Sequence, residues 1–241
     1  MAGFTYRKAD FHIHTPASVC YGDKSVTPEQ IIDTALDNGL EIIAITDHNT
    51  FESVDSLRKI GREKGLCAFP GIELSTKSGH FIAIFDIDTP VDELEETLMI
   101  LLPDKSRWGD GTVKLDVDTP DVLKHVSTRG GIALAAHIER WPSGILESGE
   151  TSRRKMEIME SPYLTALEIT VPGDRDSWNN GKMNNYPRKY ACIQGSDAHN
   201  LNEIGRRPVY ISMENCNLES LKAAFSDFKE RIRFPDDLEE D

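Results

Sequence analysis

Six of the seven histidines in this chain stand in short clusters, most with an acidic residue close by. They are His12 and His14 in Asp-Phe-His-Ile-His-Thr, His48 in Thr-Asp-His, His80 in Gly-His-Phe-Ile, His137 in Ala-His-Ile-Glu-Arg and His199 in Gly-Ser-Asp-Ala-His. Imidazole is the commonest side-chain metal ligand, and carboxylates are natural co-ligands for hydrolytic metals. Residues two apart on a strand point to the same side. His12 and His14 can therefore reach one cation or two adjacent ones. A lone histidine at a strand end is usually a hydrogen-bonding or core residue. Six of them, with Glu73 and Asp197, would leave costly unsatisfied polar groups if buried without cations. His125 stands apart, in a helical stretch from Pro120 to Arg129, and is expected at the surface or the core edge.

These residues follow apolar runs that alternate with amphipathic helix signals. The first strand is expected near Asp10–Ile13. A helix should start at Thr27, with Pro28 in its first turn, a Thr-x-x-Gln capping box to Gln30, and Gly39 at its end. Glu41–Thr46 runs into Asp47 and His48, a strand near Phe69 into Glu73, Ile132–Ala136 into His137, and Tyr190–Ile193 towards Asp197 and His199. His80 differs, because it opens its strand. Such alternation argues for a parallel sheet, closed into a barrel or wound open. Barrel active sites collect at the C-terminal ends of strands. No repeat or linker interrupts residues 1–241, which read as one domain with an acidic, solvated end over about 234–241. Three loops look irregular, 102–117, 141–151 and 172–188, and each holds one tryptophan: Trp108, Trp141 and Trp178. Each can anchor its loop or offer a stacking surface.

Bulk properties narrow the function. No run approaches the ~20 apolar residues of a membrane helix, and the N-terminus lacks the apolar core of a signal peptide. Cys20, Cys67, Cys192 and Cys216 form no Cys-x-x-Cys pair, so reduced thiols in a cytoplasmic protein are expected. A net charge of −14 argues against a duplex-binding surface. It does not exclude a small phosphorylated substrate, because bound cations would reverse the local field.

Taken in order, His-x-His, Thr-Asp-His, Pro-Gly-Ile-Glu, a strand histidine, Ala-His and Gly-Ser-Asp-x-His resemble the motifs of the PHP (polymerase and histidinol phosphatase) family, from Asp10 to about Arg207. Asp-Phe-His-Ile-His-Thr-Pro-Ala-Ser and Gly-Ser-Asp-Ala-His look most like its stand-alone phosphoesterase branch. The resemblance implies an α/β fold, a distorted (β/α)7 barrel, with two or three divalent ions (zinc, manganese or iron) at the C-terminal ends of the strands. It implies a first ion held by His12, His14, Glu73 and Asp197. Glu73 would bridge to a second, completed by His80 and His137, and His48 and His199 would hold a third. The third site of the family usually takes one more ligand shortly after His-x-His. Here Ala17-Ser18 is followed by Val-Cys-Tyr-Gly before Asp23, so Asp23 is the candidate and Cys20 the runner-up.

Closely spaced divalent ions lower the pKa of a shared water and would supply a hydroxide nucleophile. They also neutralise charge building on an in-line phosphoryl transition state. Asp197 and His199 are then expected in the catalytic machinery. Arg140 and Arg206 match positions where related phosphoesterases keep an arginine for the phosphate, while a surface ion pair is the alternative for each. Glu168, inside the strand-like run Ala-Leu-Glu-Ile-Thr, is expected either to orient a ligand imidazole or to be an ordinary buried-face carboxylate. The expected activity is hydrolysis of a phosphate ester on a small metabolite, a nucleotide or a short single-stranded oligonucleotide end. The alternatives are a nuclease subunit or a non-catalytic scaffold acting on a protein partner, and an amidohydrolase barrel, which would require a bridging lysine and a terminal Asp without a paired His.

Overall fold

The computed structural model describes residues 5–238. Its sheet has nine strands: β1 (Arg7–Ile13), β2 (Ile42–Ile45), β3 (Cys67–Thr76), β4 (Gly79–Ile84), β5 (Ile132–Ala135), β6 (Leu164–Glu168), β7 (Ala191–Ile193), β8 (Val209–Ile211) and β9 (Ile232–Arg233). Their order is β7-β6-β5-β4-β3-β2-β1-β8-β9. The upper part of β1 also meets the segment after β7: Ile13 bridges Ala198 in parallel, and His14 N donates to Ala198 O at 3.0 Å. Seven strands thus curl into a nearly closed barrel. β8 is antiparallel to the lower part of β1, from Arg7 to Ala9, and β9 continues outward from it.

The barrel is distorted as expected, but strand and helix do not strictly alternate. β3 and β4 form a hairpin, and β4 runs antiparallel to both β3 and β5. Every residue of β2 and β3 is buried. Parallel strands covered on both faces carry such continuous apolar runs.

The helices are α1 (Pro28–Asp37), α2 (Val54–Lys64), α3 (Val91–Leu101), α4 (Thr119–Thr128), α5 (Ser152–Met159), α6 (Arg175–Asn179), α7 (Leu218–Ser226) and α8 (Phe228–Arg231). α1 begins as its sequence dictates. Thr27 and Gln30 form a reciprocal capping box, Pro28 fills the first turn, and Ile31, Ile32 and Ala35 face the core. Such a cap contributes roughly 1 kcal/mol, and each fully buried isoleucine about 1.5–3 kcal/mol.

Some sequence expectations need correction. α5 was not anticipated, and α6 occupies part of a loop read as irregular; both are short, and a brief polar helix leaves little periodicity to detect. Cys67 and Cys216 are joined in a disulfide, their Cα atoms 6.0 Å apart, which overturns the expectation of free thiols for this pair. Spacing along the chain could not reveal a pair separated by 149 residues. Cys20 and Cys192 remain free. Part of the acidic end is fastened down: Phe234 is buried, and Asp237 makes a two-pronged ion pair with Arg175. Residues 239–241 lie outside the described residues. No described helix is long and apolar enough to cross a membrane.

Candidate metal centre

The strand ends deliver the clustered histidines to one place. His12 and His14 end β1, and Glu73 lies in β3. His137 follows β5, Glu168 ends β6, and Asp197 and His199 follow β7. His80 begins β4, and because β4 runs backwards its start faces the same end of the barrel.

The deepest group is His12, His14, Glu73 and Asp197, all buried. His12 Nε2 lies 3.1 Å from His14 Nε2 and 3.3 Å from both Glu73 Oε2 and Asp197 Oδ1. His14 Nε2 lies 3.2 Å from Glu73 Oε2 and 3.1 Å from Asp197 Oδ1. Hydrogen bonds behind the rings set the tautomers. His12 Nδ1 is 2.7 Å from Glu168 Oε2. An ionised carboxylate only accepts, so this nitrogen carries a proton. Ser18 Oγ donates to Asp47 Oδ1 at 2.6 Å, so it accepts from His14 Nδ1 at 3.0 Å. Both neutral rings would therefore turn bare Nε2 lone pairs towards each other and towards two carboxylate oxygens.

Four acceptors around one point repel unless a positive charge lies among them. Protons can supply it. Burial opposes charge on His12, yet Glu168, Glu73 and Asp197 together raise its pKa well above the ordinary value. Burial likewise works against charge on Glu73 and Asp197, and the surrounding histidines still hold both well below the usual carboxylate range. A divalent cation can do the same without consuming the lone pairs, and the donor set of imidazole and carboxylate suits it.

Glu73 links this group to a second. His80 Nδ1 lies 2.8 Å, and His137 Nε2 3.0 Å, from Glu73 Oε1. His48 Nδ1 approaches Glu73 Oε2 to 2.9 Å, but the two atoms lack hydrogen-bond geometry, and each is buried without a hydrogen-bond partner. His137 Nδ1 is also buried and unpartnered. A buried charged oxygen with no donor costs more than the ~1–3 kcal/mol of a neutral group. The orphaned oxygen and nitrogens fit cation ligands. Burial opposes charge on His48, but Glu73 and a contact with the Cys20 thiol raise its pKa to about 9. In His80 burial prevails over Glu73 and the pKa falls.

A third group, His14, His48 and His199, reaches the rim. His199 Nδ1 donates to Asp197 O at 2.9 Å, leaving Nε2 free. Asp23 does not join it: the residue is exposed, and its carboxylate accepts from Ser25 N and Oγ at 2.9 and 2.7 Å. The Asp-x-Ser pattern closes a local turn and consumes the oxygen.

The backbone is bent to this purpose. His137, Asp197 and Asn49 adopt positive φ of 27°, 49° and 45°, a region that side chains rarely occupy. Such outliers cluster at functional sites and are held by surrounding structure. Gly195 lets the chain pass over the His12–Glu168 pair, since a Cβ there would lie 2.7 Å from His12 Cβ. Gly111 similarly brings the loop after α3 onto His48, where a Cβ would meet Cδ2 at 2.6 Å.

The arginines separate. Arg140 forms an ion pair with Asp197 while its side chain stays 40% exposed. Arg206 is not brought into the cluster; it donates to Ser196 O and Glu203 Oε1, both at 3.0 Å, and braces the loop that carries Asp197 and His199. His125 donates to Thr97 O at 3.0 Å, away from the centre. The tryptophans also differ: Trp178 is buried, Trp108 half-buried, and Trp141 77% exposed. Sequence reasoning missed Ser18 and Asp10. Asp10, fully buried, accepts from His12 N, Ser196 N and Gly205 N at 3.2, 3.1 and 2.9 Å, fastening β1 to the segment after β7. Its place within the first strand, two residues before His12, was the available signal.

A barrel whose strand ends converge on buried imidazoles and carboxylates defines a class of metal-centre proteins. The chain belongs to the PHP domain family, whose pattern matches residues 10–128. It is similar to an uncharacterized protein of Methanocaldococcus jannaschii, 35% identical over 85 residues, covering 32% of this chain and 50% of that protein. A 5'-3' exoribonuclease of Haemophilus influenzae is 30% identical over 70 residues, covering 29% of this chain and 24% of that protein. Among solved structures, a two-domain protein of Bacteroides vulgatus containing a predicted PHP-like metal-dependent phosphoesterase shares the fold. Its TM-score is 0.68 at 19% identity, covering 97% of this chain and 66% of that one. The chain thus spans about half the length of the first of these relatives.

Proposed function

We propose that this protein is a metal-dependent hydrolase of phosphate esters. Four acceptor atoms, from His12, His14, Glu73 and Asp197, meeting around one buried point carry the reading. Glu73 extends that arrangement to His80, His137 and His48. Divalent ions held there would activate water and offset phosphate charge. The chain's own residues do the rest. Glu168 and the Ser18–Asp47 pair hold the His12 and His14 rings with Nε2 turned inward. Arg140, partly exposed beside Asp197, grips a phosphate oxygen through charge-assisted hydrogen bonds. His199 keeps its Nδ1 proton on Asp197 O and presents a bare Nε2 at the rim, where with His14 and His48 it would help hold a further cation.

The substrate is a small, base-bearing phosphoester. Trp141 is 77% exposed directly after Arg140, and Val171 is 45% exposed on the neighbouring loop. Glu139 ties the two loops together, accepting from Thr170 N at 2.7 Å. This apolar rim suits a flat group beside the phosphate. The exoribonuclease relationship supports a nucleotide, and the chain's net charge of −14 disfavours long strands. The test is phosphate release from nucleoside monophosphates, cyclic and bisphosphorylated nucleotides, histidinol phosphate and short oligonucleotides, with manganese, zinc or iron added. A clear preference for one base-bearing compound is expected. Protein that carries metal yet hydrolyses none of them would overturn the proposal.

A further inference from the structure

We infer that the Cys67–Cys216 disulfide is an exchange site for a small anionic thiol, which docks in the cleft around it at the base of the barrel. This cleft lies at the end opposite the histidines, so the exchange stands apart from the metal centre.

The starts of the strands build the cleft. Arg7 opens β1, Glu41 precedes β2 and Cys67 opens β3. Ile87 and Asp88 follow β4, whose reversal brings its end to the same floor. Cys216 arrives on the segment between β8 and α7. Leu218 N fastens that segment by donating to Asp86 Oδ2 at 2.9 Å. An open cleft of about 510 Å³ remains, with both disulfide cysteines in its wall. Ligand sites span roughly 300–1,000 Å³.

Charge selects what enters. Three guanidiniums, of Arg7, Arg58 and Arg62, face two carboxylates, of Glu41 and Asp88. The lining thus has a positive surplus in a chain whose net charge is −14. Arg7 donates to Met213 O at 3.3 Å and has no carboxylate partner among the described residues. Arg58 is held by the carbonyls of Ile87 and Thr89, at 2.9 and 2.7 Å. Arg62 pairs with Asp88 at 2.7 Å, but both side chains are largely exposed, so the pair opens at little cost. Guanidinium recognises carboxylate through paired, charge-assisted hydrogen bonds. A thiol that carries carboxylates therefore matches both the charge of the cleft and the disulfide in its wall.

Exposure sets the direction of exchange. Cys67 is buried and Cys216 half-buried. An incoming thiolate attacks Cys216 Sγ, the sulfur it can reach. A bond forms between the two, the bond to Cys67 breaks, and Cys67 leaves with the electron pair and takes a proton from solvent. A second equivalent of the thiol attacks the ligand sulfur, releasing Cys216 as a thiol and the ligand as its own disulfide. Reachable disulfides are the labile ones. Reduction removes a crosslink spanning 149 residues and frees the stretch before α7 from the start of β3.

The experiment treats the oxidised, intact chain with glutathione, 2-mercaptoethanol and cysteamine, which are anionic, neutral and cationic, at equal thiolate concentration. Each rate of disulfide loss is divided by that of the same thiol with a small neutral disulfide, which removes intrinsic reactivity. Acid-quenched products are mapped by peptide mass spectrometry. Glutathione should outpace cysteamine about tenfold or more at low salt, and the gap should close near 1 M salt. Captured mixed disulfide should carry glutathione on Cys216 and a free thiol at Cys67. Arg62→Glu should narrow the gap to about threefold or less and leave the 2-mercaptoethanol rate unchanged. A disulfide inert to all three thiols, equal rates for the three, or glutathione captured on Cys67 would each overturn the inference. So would free thiols at both positions in protein purified without reductant.

Discussion

The deep and rim halves of the candidate metal centre are built on different principles. His12, His14 and Glu73 are fully buried, and both rings are steered from behind, one by Glu168 and the other by Ser18 and Asp47. At the rim the His199 side chain is 26% exposed and is oriented by a backbone carbonyl. Cys20 is exposed, and Asp23 is turned to its own loop. The deep half is preorganised by buried charge, so losing one partner leaves the others uncompensated. The rim half is partly solvated and tolerates exchange of donors.

The largest test strikes the atom pair that joins the halves. Glu73→Gln should cost at least one metal ion per chain by elemental analysis, and turnover should fall by roughly a thousandfold or more. A variant with full metal content and normal turnover would remove Glu73 from the centre. Glu168→Gln should weaken metal affinity by about 10–100-fold, as loss of a carboxylate behind a ligand imidazole does. The check is a titration against a chelator, and unchanged affinity would reduce Glu168 to a packing role.

The contrast also predicts a pH response in metal-free protein. The folded-state pKa of His48 is raised from 6.5 to about 9. Its stabilising contribution is therefore complete below 6.5 and is lost as pH rises through about 9. Thermal melts in chelator should drop across that window, and melts of loaded protein should drop less. Equal pH dependence in both forms would show that no cation replaces the proton there.

Smaller effects belong to the outer rim. Arg140→Ala should raise KM for phosphoesters about tenfold, consistent with the ~1.5–3 kcal/mol of a hydrogen bond to a charged group. An unaltered KM would retire its phosphate role. Trp141→Ala should raise KM roughly threefold for base-bearing substrates and leave a simple aliphatic phosphate unaffected. Its stability should change within about 0.5 kcal/mol, as for most exposed positions.

The same division explains what could be read from the sequence. The apolar runs marked the barrel strands, and the clustered histidines marked the centre, because burial and metal ligation each restrict residue type strongly. His80 looked out of place at the start of a strand. Only the reversal of β4 explains it, and reversal leaves no trace in an apolar run. Ser18 and Asp47 act by hydrogen bonds between segments that periodicity does not report. The family resemblance nominated Asp23, but the local turn with Ser25 captured its carboxylate. Likewise Cys67 and Cys216 meet only because the chain after β8 folds back to the start of β3.

The reversed strand has one more result. Ile84 at the end of β4 pairs with Ile132 at the start of β5. The intervening stretch, 85–131, therefore leaves and rejoins the sheet at neighbouring points on the end opposite the histidines. Between those points it climbs to lay Gly111 over His48 and to hydrogen-bond Leu115 N to Ser75 O at 2.8 Å. It behaves as a handle attached at the base whose tip overhangs the mouth. Insertions or deletions at that tip could reshape what enters while leaving every barrel strand in register, so selectivity can evolve separately from the machinery it guards.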